Sequence, residues 1–163
     1  MYKLTPISAT GSYVCTQSGE QTFVLKQNRW TMGKAQITCA TQDELVIKKK
    51  SALSSVHLIL KNGFEIGKIT FDWKMTATIR VYHPNTLFIL RKKGIIKPYF
   101  ELICTNPKMS VLAFKGCMHW RKLSYGYNVE LLTSDDDWFD MQELVMFAVY
   151  AINRRTAMSG NGG

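Results

Sequence analysis

The chain has no apolar segment long enough to cross a bilayer. Its longest uninterrupted apolar run, Leu144 to Ile152, spans nine residues, against the roughly 20 that a membrane-spanning helix requires. The start, Met1-Tyr2-Lys3-Leu4-Thr5-Pro6, lacks the apolar core of a secretory signal. Cysteine is sparse and scattered: Cys15, Cys39, Cys104 and Cys117 form no CxxC pair. Cys39, Cys104 and Cys117 each sit inside an apolar or alternating run, as small buried hydrophobes do. These absences predict a soluble, cytoplasmic protein without a disulfide framework.

Catalytic signatures are missing as well. No GxSxG, P-loop or GxGxxG pattern occurs, and the Gly160-Asn161-Gly162-Gly163 tail has no lysine to complete a phosphate loop. Outside one acidic cluster, Glu65, Asp72, Glu101 and Glu130 are isolated from one another in sequence, and three histidines give no nucleophile–base pairing. Cys117 and His119 share a strand face, with His57 and His83 elsewhere, which is too few ligands for a structural zinc. The expectation is a protein that is not an enzyme, with no catalytic residue, cofactor or metal. No internal repeat or low-complexity linker interrupts the chain, so residues 1–155 are read as one domain.

What is present is basic charge, apolar alternation and aromatics. The 163 residues hold 21 Lys and Arg against 12 Asp and Glu, a net charge of +9, with 46% hydrophobic and 12% aromatic residues. Five of the acids (Asp135, Asp136, Asp137, Asp140, Glu143) fall together, so residues 1–134 carry 19 basic against 7 acidic side chains. Such a surface attracts the phosphates of anionic lipid or nucleic acid, although scattered charge also serves solubility.

Short alternating runs fill the chain up to Leu132. The clearest is Lys74 to Tyr82, in which Met75, Ala77, Ile79 and Val81 oppose Lys74, Thr76, Thr78 and Arg80. Strands are also predicted over Ser12–Thr16, Thr22–Gln27, Lys34–Ala40, Glu44–Lys49, Ser55–Lys61, Thr86–Arg91, Tyr99–Thr105, Ser110–Lys115 and Tyr125–Leu132. A further run holds Gly67, Ile69 and Phe71 on one face. An odd-numbered loop such as Asp72-Trp73-Lys74 must join it to the next strand if both apolar sets are to share a core. Asn62-Gly63 marks a two-residue hairpin. Some eleven or twelve such strands, with no helices between them, predict an antiparallel meander closed into a barrel or sandwich.

The last helix, expected over residues 137–155, has no polar face. Trp138, Phe139, Met141, Leu144, Val145, Met146, Phe147, Ala148, Val149, Tyr150, Ala151 and Ile152 surround it with apolar side chains, the pattern of a helix buried on every side. The acidic cluster suits its N-terminus, with Ser134 and Asp137 spaced as a capping box, and Arg154 and Arg155 suit its C-terminus. Residues 156–163 are expected to be a loose tail.

Many strands followed by one hydrophobic C-terminal helix resembles the tubby C-terminal-like superfamily, which includes phospholipid scramblases and LURP-one-related proteins. Tyr125-Gly126-Tyr127-Asn128-Val129-Glu130-Leu131 looks like that family's penultimate strand, and Asp137 with Leu144–Ile152 like its aspartate and buried helix. Phe64-Glu65-Ile66-Gly67-Lys68-Ile69 fits more loosely. The resemblance implies a mainly β fold, a twelve-stranded antiparallel barrel around the helix, and a link to membrane lipid. The lysine/arginine lipid motif of tubby domains has no counterpart here, nor do the scramblase calcium segment and palmitoylated cysteines.

Lys48, Lys49, Lys50, Arg91, Lys92 and Lys93 are the leading candidates for holding anionic lipid head groups, with Lys97 beside the second run. Both runs lie where a strand gives way to a turn, which would gather them at one rim; strand-end lysines also discourage edge aggregation. Lys68, Lys74 and Arg80 on one outward face form a second set. Nucleic acid is the rival ligand, since Tyr82, Tyr99, Trp30 and Trp120 lie near basic residues, but no RNP-like motif appears. A structural or protein-interaction role is the third reading.

Overall fold

A computed structural model describes residues 1–7, 11–27, 34–39, 43–74, 76–94, 98–119, 124–133 and 139–159. Among these residues are twelve strands and one helix. The strands are β1 (Tyr2–Pro6), β2 (Tyr13–Gln17), β3 (Glu20–Gln27), β4 (Lys34–Cys39), β5 (Glu44–Lys49), β6 (Val56–Lys61), β7 (Phe64–Phe71), β8 (Ala77–Val81), β9 (Thr86–Lys92), β10 (Tyr99–Thr105), β11 (Lys108–His119) and β12 (Ser124–Leu131). The helix is α1 (Met141–Ser159). Each strand runs antiparallel to its neighbours in sequence, and β1 pairs with β12 through Tyr2↔Val129 and Leu4↔Tyr127 to close the barrel.

Period-two alternation produces the wall. In β4, Ala35, Ile37 and Cys39 are buried while Lys34, Gln36 and Thr38 are exposed; the inner set faces the helix and the outer set solvent. At Asn62-Gly63 both residues have positive φ, 50° and 86°, which supplies the turn twist that two antiparallel strands need. Five residues separate β7 from β8, an odd number as the shared core demands, with Phe71 paired to Ala77.

The helix fills the interior. From Leu144 through Ile152 no residue is more than 1% exposed, and each buried large apolar side chain contributes about 1.5–3 kcal/mol. Its contacts reach around the wall. Gln142 Nε2 donates to the Thr22 carbonyl at 3.4 Å, and Met146 meets Cys39, sulfur to sulfur, at 3.8 Å. Tyr150 meets His57, and Asn153 Nδ2 donates to the Gly11 carbonyl at 2.7 Å.

Three expectations are corrected. The helix begins at Met141 rather than 137: Asp140 caps it, its Oδ1 accepting from the Glu143 amide at 3.1 Å. It also runs on to Ser159, so residues 156–159 are helical rather than a tail, and Arg154 is buried rather than terminal. Finally, β8 begins at Ala77, which leaves Lys74 in the preceding loop and off the face that carries Lys68 and Arg80. The proposed cap residues Ser134 to Asp137 lie outside the described residues, as do Met75, Lys97, Trp30 and Trp120.

Candidate anion-binding site

Because the barrel is an up-and-down meander, all odd-numbered strands end at the mouth where the helix ends, and all even-numbered strands start there. We call this the C mouth and its opposite, where the helix starts, the N mouth. Lys48, Lys49 and Lys50 close β5 at the C mouth, Arg91, Lys92 and Lys93 close β9 there, and Lys74 lies in the β7–β8 loop at the same end. The structure thus brings both basic runs to one rim.

Within each run the side chains divide. Lys48 follows the outward parity and is exposed; Lys49 follows the inward parity, is half-buried, and donates to the Ala52 carbonyl at 2.8 Å. Arg91 faces Glu101 across the β9–β10 pair, and Lys93 Nζ lies 2.7 Å from Glu101 Oε2. Lys93 therefore holds Glu101 below the ordinary carboxylate range, and one charge of this run is already neutralised. Lys92 takes the inward parity, exposed at the lip.

The register adds a row that adjacency in sequence does not reveal. Lys34 pairs with Lys48, Lys48 with Leu58, Leu58 with Lys68, and Lys68 with Arg80. Five strands thus carry four outward cations in one line, spanning roughly 19 Å at 4.8 Å per strand. Lys34 faces Lys48 directly, and Lys68 faces Arg80 directly; like charges directly opposed across strands destabilise a sheet. Among the described residues none of these four makes an ion pair; Arg80 Nη1 reaches only Asn85 Oδ1, at 3.4 Å. Gly67 fixes the β7–β8 approach that sets the Lys68–Arg80 pair, since a Cβ there would collide with the Arg80 carbonyl.

Large apolar side chains crowd the same mouth. Leu53 is 100% and Trp73 87% exposed, and Ile7 and Met158 are also exposed there. Lys74 Nζ sits 4.8 Å from the Trp73 ring centroid, a cation–π contact. Between these loops a recess of about 490 Å³ enters the barrel, walled by Lys49, Leu53, Ser54, Ser55, His57, Phe71, Asp72, Trp73, Arg154 and Met158. At its base His57 Nδ1 lies 2.6 Å from the Tyr150 hydroxyl. Burial, helped by Arg154 and Lys49, pushes His57 down to about 4, and burial pushes Tyr150 up to about 12.

The other candidates separate. Tyr82 follows β8 at the N mouth with its hydroxyl 2.6 Å from Glu65, while Tyr99 opens β10 at the C mouth with its hydroxyl on Glu101; the two share no stacking platform. Cys117 Sγ and His119 Nε2 lie 3.7 Å apart, and no group of three metal-ligating side chains occurs among the described residues. Burial raises the Cys15 thiol to about 11, which leaves it a poor nucleophile. Among the described residues no helix is long and apolar enough to cross a membrane.

Residue-by-residue reasoning missed Lys34, Leu53, Trp73 and Arg154 as parts of this mouth. Lys34 belongs to it through hairpin register. Arg154 lies four positions beyond Tyr150 and seven beyond Phe147, on a buried helix face, a spacing that could have exposed it. No family model, no curated protein and no solved structure matches the chain.

Proposed function

We propose that this chain is a non-enzymatic binding module that docks peripherally, C mouth first, on anionic phospholipid surfaces. The observation that carries the reading is the coincidence, at one mouth, of unpaired cations with the protruding Leu53 and Trp73. Basic residues near an anionic leaflet contribute about 1 kcal/mol each, and an exposed Trp beside a Leu is suited to the head-group boundary. At the C-mouth end of the cation row, Lys34 and Lys48 tolerate a like-charge repulsion that an anionic surface would relieve, while Lys68 and Arg80 carry the row along the wall toward the N mouth. Membership of the tubby C-terminal-like superfamily belongs to the same proposal, supported by the twelve-stranded closed meander around a C-terminal helix. A cytoplasmic location belongs to it too, supported by four free thiols.

Co-sedimentation with vesicles, anionic and neutral, at two salt concentrations tests it. The chain is expected to sediment with anionic vesicles at low salt and to be released as salt rises. Charge reversal of Arg91, Lys92 and Lys93 to Glu, or Leu53→Ser with Trp73→Ser, should abolish retention, while Phe64→Ser at the N mouth should not. Binding to single-stranded oligonucleotide in preference to vesicles would replace lipid by nucleic acid as the ligand. Retention that survives both C-mouth variants would overturn the proposal.

A further inference from the structure

Among the described residues Arg154 is the least explained charge. It is 7% exposed, and its Nε and Nη1 are both buried with no hydrogen-bond partner. Buried guanidinium groups are ordinarily paired, because desolvating a cation is costly unless an anion or acceptors compensate. A native protein that keeps such a group calls for an account of it. Arg154 also forms part of the wall of the C-mouth recess, so the unpaired charge borders a space of about 490 Å³.

Three other features of that wall favour an anion. Among the described residues Lys49 commits one of its three N–H donors, to the Ala52 carbonyl, and keeps the rest. His57 Nδ1 is occupied by Tyr150, which leaves Nε2 as the ring nitrogen for a ligand. The one carboxylate on the wall, Asp72, is exposed and has its Oδ1 tied to the Thr76 amide at 2.7 Å, and it forms no ion pair with Arg154 or Lys49 among the described residues. A guanidinium fork with a second cation beside it is the donor set that matches a phosphate's several oxygens.

We infer that the C-mouth recess is a binding site for a single phosphate group, held by Arg154 and Lys49 with His57 beside them. The phosphate belongs either to a soluble phosphomonoester or to a lipid head group reaching into the mouth. The recess shares Leu53, Trp73 and Lys49 with the docking surface but neither Arg91, Lys92 nor Lys93, so charge reversal of those three tests docking alone and Arg154→Met tests the recess alone.

The test uses inorganic phosphate, and vesicles containing phosphatidic acid or an equal mole fraction of phosphatidylglycerol. At ten times its Kd, phosphate should raise the Tm of the native chain by about 3–5 °C. Arg154→Met should lose that response while melting higher than the native chain in phosphate-free buffer, because it removes a buried unpaired charge. Lys49→Met, at a half-exposed position, should weaken phosphate binding about tenfold. If the native chain prefers phosphatidic acid to phosphatidylglycerol and Arg154→Met erases the preference, the ligand is a lipid head group. If inorganic phosphate stabilises the native chain and Arg154→Met leaves vesicle retention unchanged, the ligand is soluble. Absence of both the phosphate response and the phosphatidic acid preference overturns the inference, as does their persistence in Arg154→Met.

Discussion

The two mouths of the barrel differ in how they hold the cation nearest the helix, Lys61 at one and Arg154 at the other. At the N mouth Lys61 is held by two carboxylates, Glu143 at 2.8 Å and Asp43 at 3.2 Å, the first of which lies on the helix itself. That bonding, led by Glu143, keeps the Lys61 ammonium protonated far into the alkaline range. At the C mouth Lys34, Lys48, Lys50 and Lys92 have no such partner among the described residues, and Arg154 is buried without one. The N mouth thus ties the helix to the wall through Lys61, although the exposed Lys108 that opens β11 there has no ion pair among the described residues either. The other keeps repulsive or unpaired charge that folding alone gives no reason to retain, and such residues more often answer to a ligand than to stability.

The largest expected effect removes what the mouths share. Val145 is fully buried in the helix core, and Val145→Asp should abolish folding, because an unpaired buried carboxylate exceeds a stability margin of about 5–15 kcal/mol. Loss of the near-ultraviolet circular dichroism signal and of dispersed amide resonances would register it.

The next effect belongs to the C mouth alone. His57 titrates at about 4 in the fold and near 6.5 when unfolded. Between those values the unfolded chain binds a proton that the folded chain refuses, so stability is complete above pH 6.5 and falls as pH drops toward 4. The loss is about 3 kcal/mol, measurable by urea denaturation across that range. His57→Phe should flatten this part of the profile; an unchanged slope would assign it elsewhere.

Smaller effects separate the mouths directly. Lys61→Met breaks the N-mouth bridge at a partly exposed position and should cost about 1 kcal/mol, a loss that shrinks in high salt. Lys48→Met at the C mouth removes a like-charge neighbour of Lys34 and should leave stability equal or higher by about 0.5 kcal/mol. Should both variants lose stability alike, the contrast between the mouths would disappear.

Much of this architecture can be read along the chain. The polar-free run Leu144–Ile152 announces a buried helix, and Asn62-Gly63 announces its hairpin, because both are local patterns. β1 is not legible in the same way. Tyr2, Leu4 and Pro6 do face inward, but five residues holding one aliphatic side chain and a proline give a weak alternation. Their place is set by pairing with β12, more than 120 residues away. The binding rim is intermediate. Lys48–Lys50 and Arg91–Lys93 stand out as runs, whereas Lys34 joins them only through register. Arg154 reads as a C-terminal charge as long as the helix is ended at 155, four residues short of Ser159.

Closure through β1 and β12 has a consequence for how the molecule is made. The helix follows all twelve strands in the chain, so a ribosome presents an open sheet, with its apolar inner face bare, before the element that fills it exists. Ile37, Ile47, Ile59, Ile69 and Phe88 can find their final neighbours only after α1 has been synthesised. A fold completed by such distant pairings is expected to form slowly, on the millisecond-to-second scale of high-contact-order β proteins. During that interval unpaired strand edges invite association with other nascent chains. Chaperone demand during synthesis is therefore written into the order of the elements, and moving α1 ahead of β1 by circular permutation should lower it.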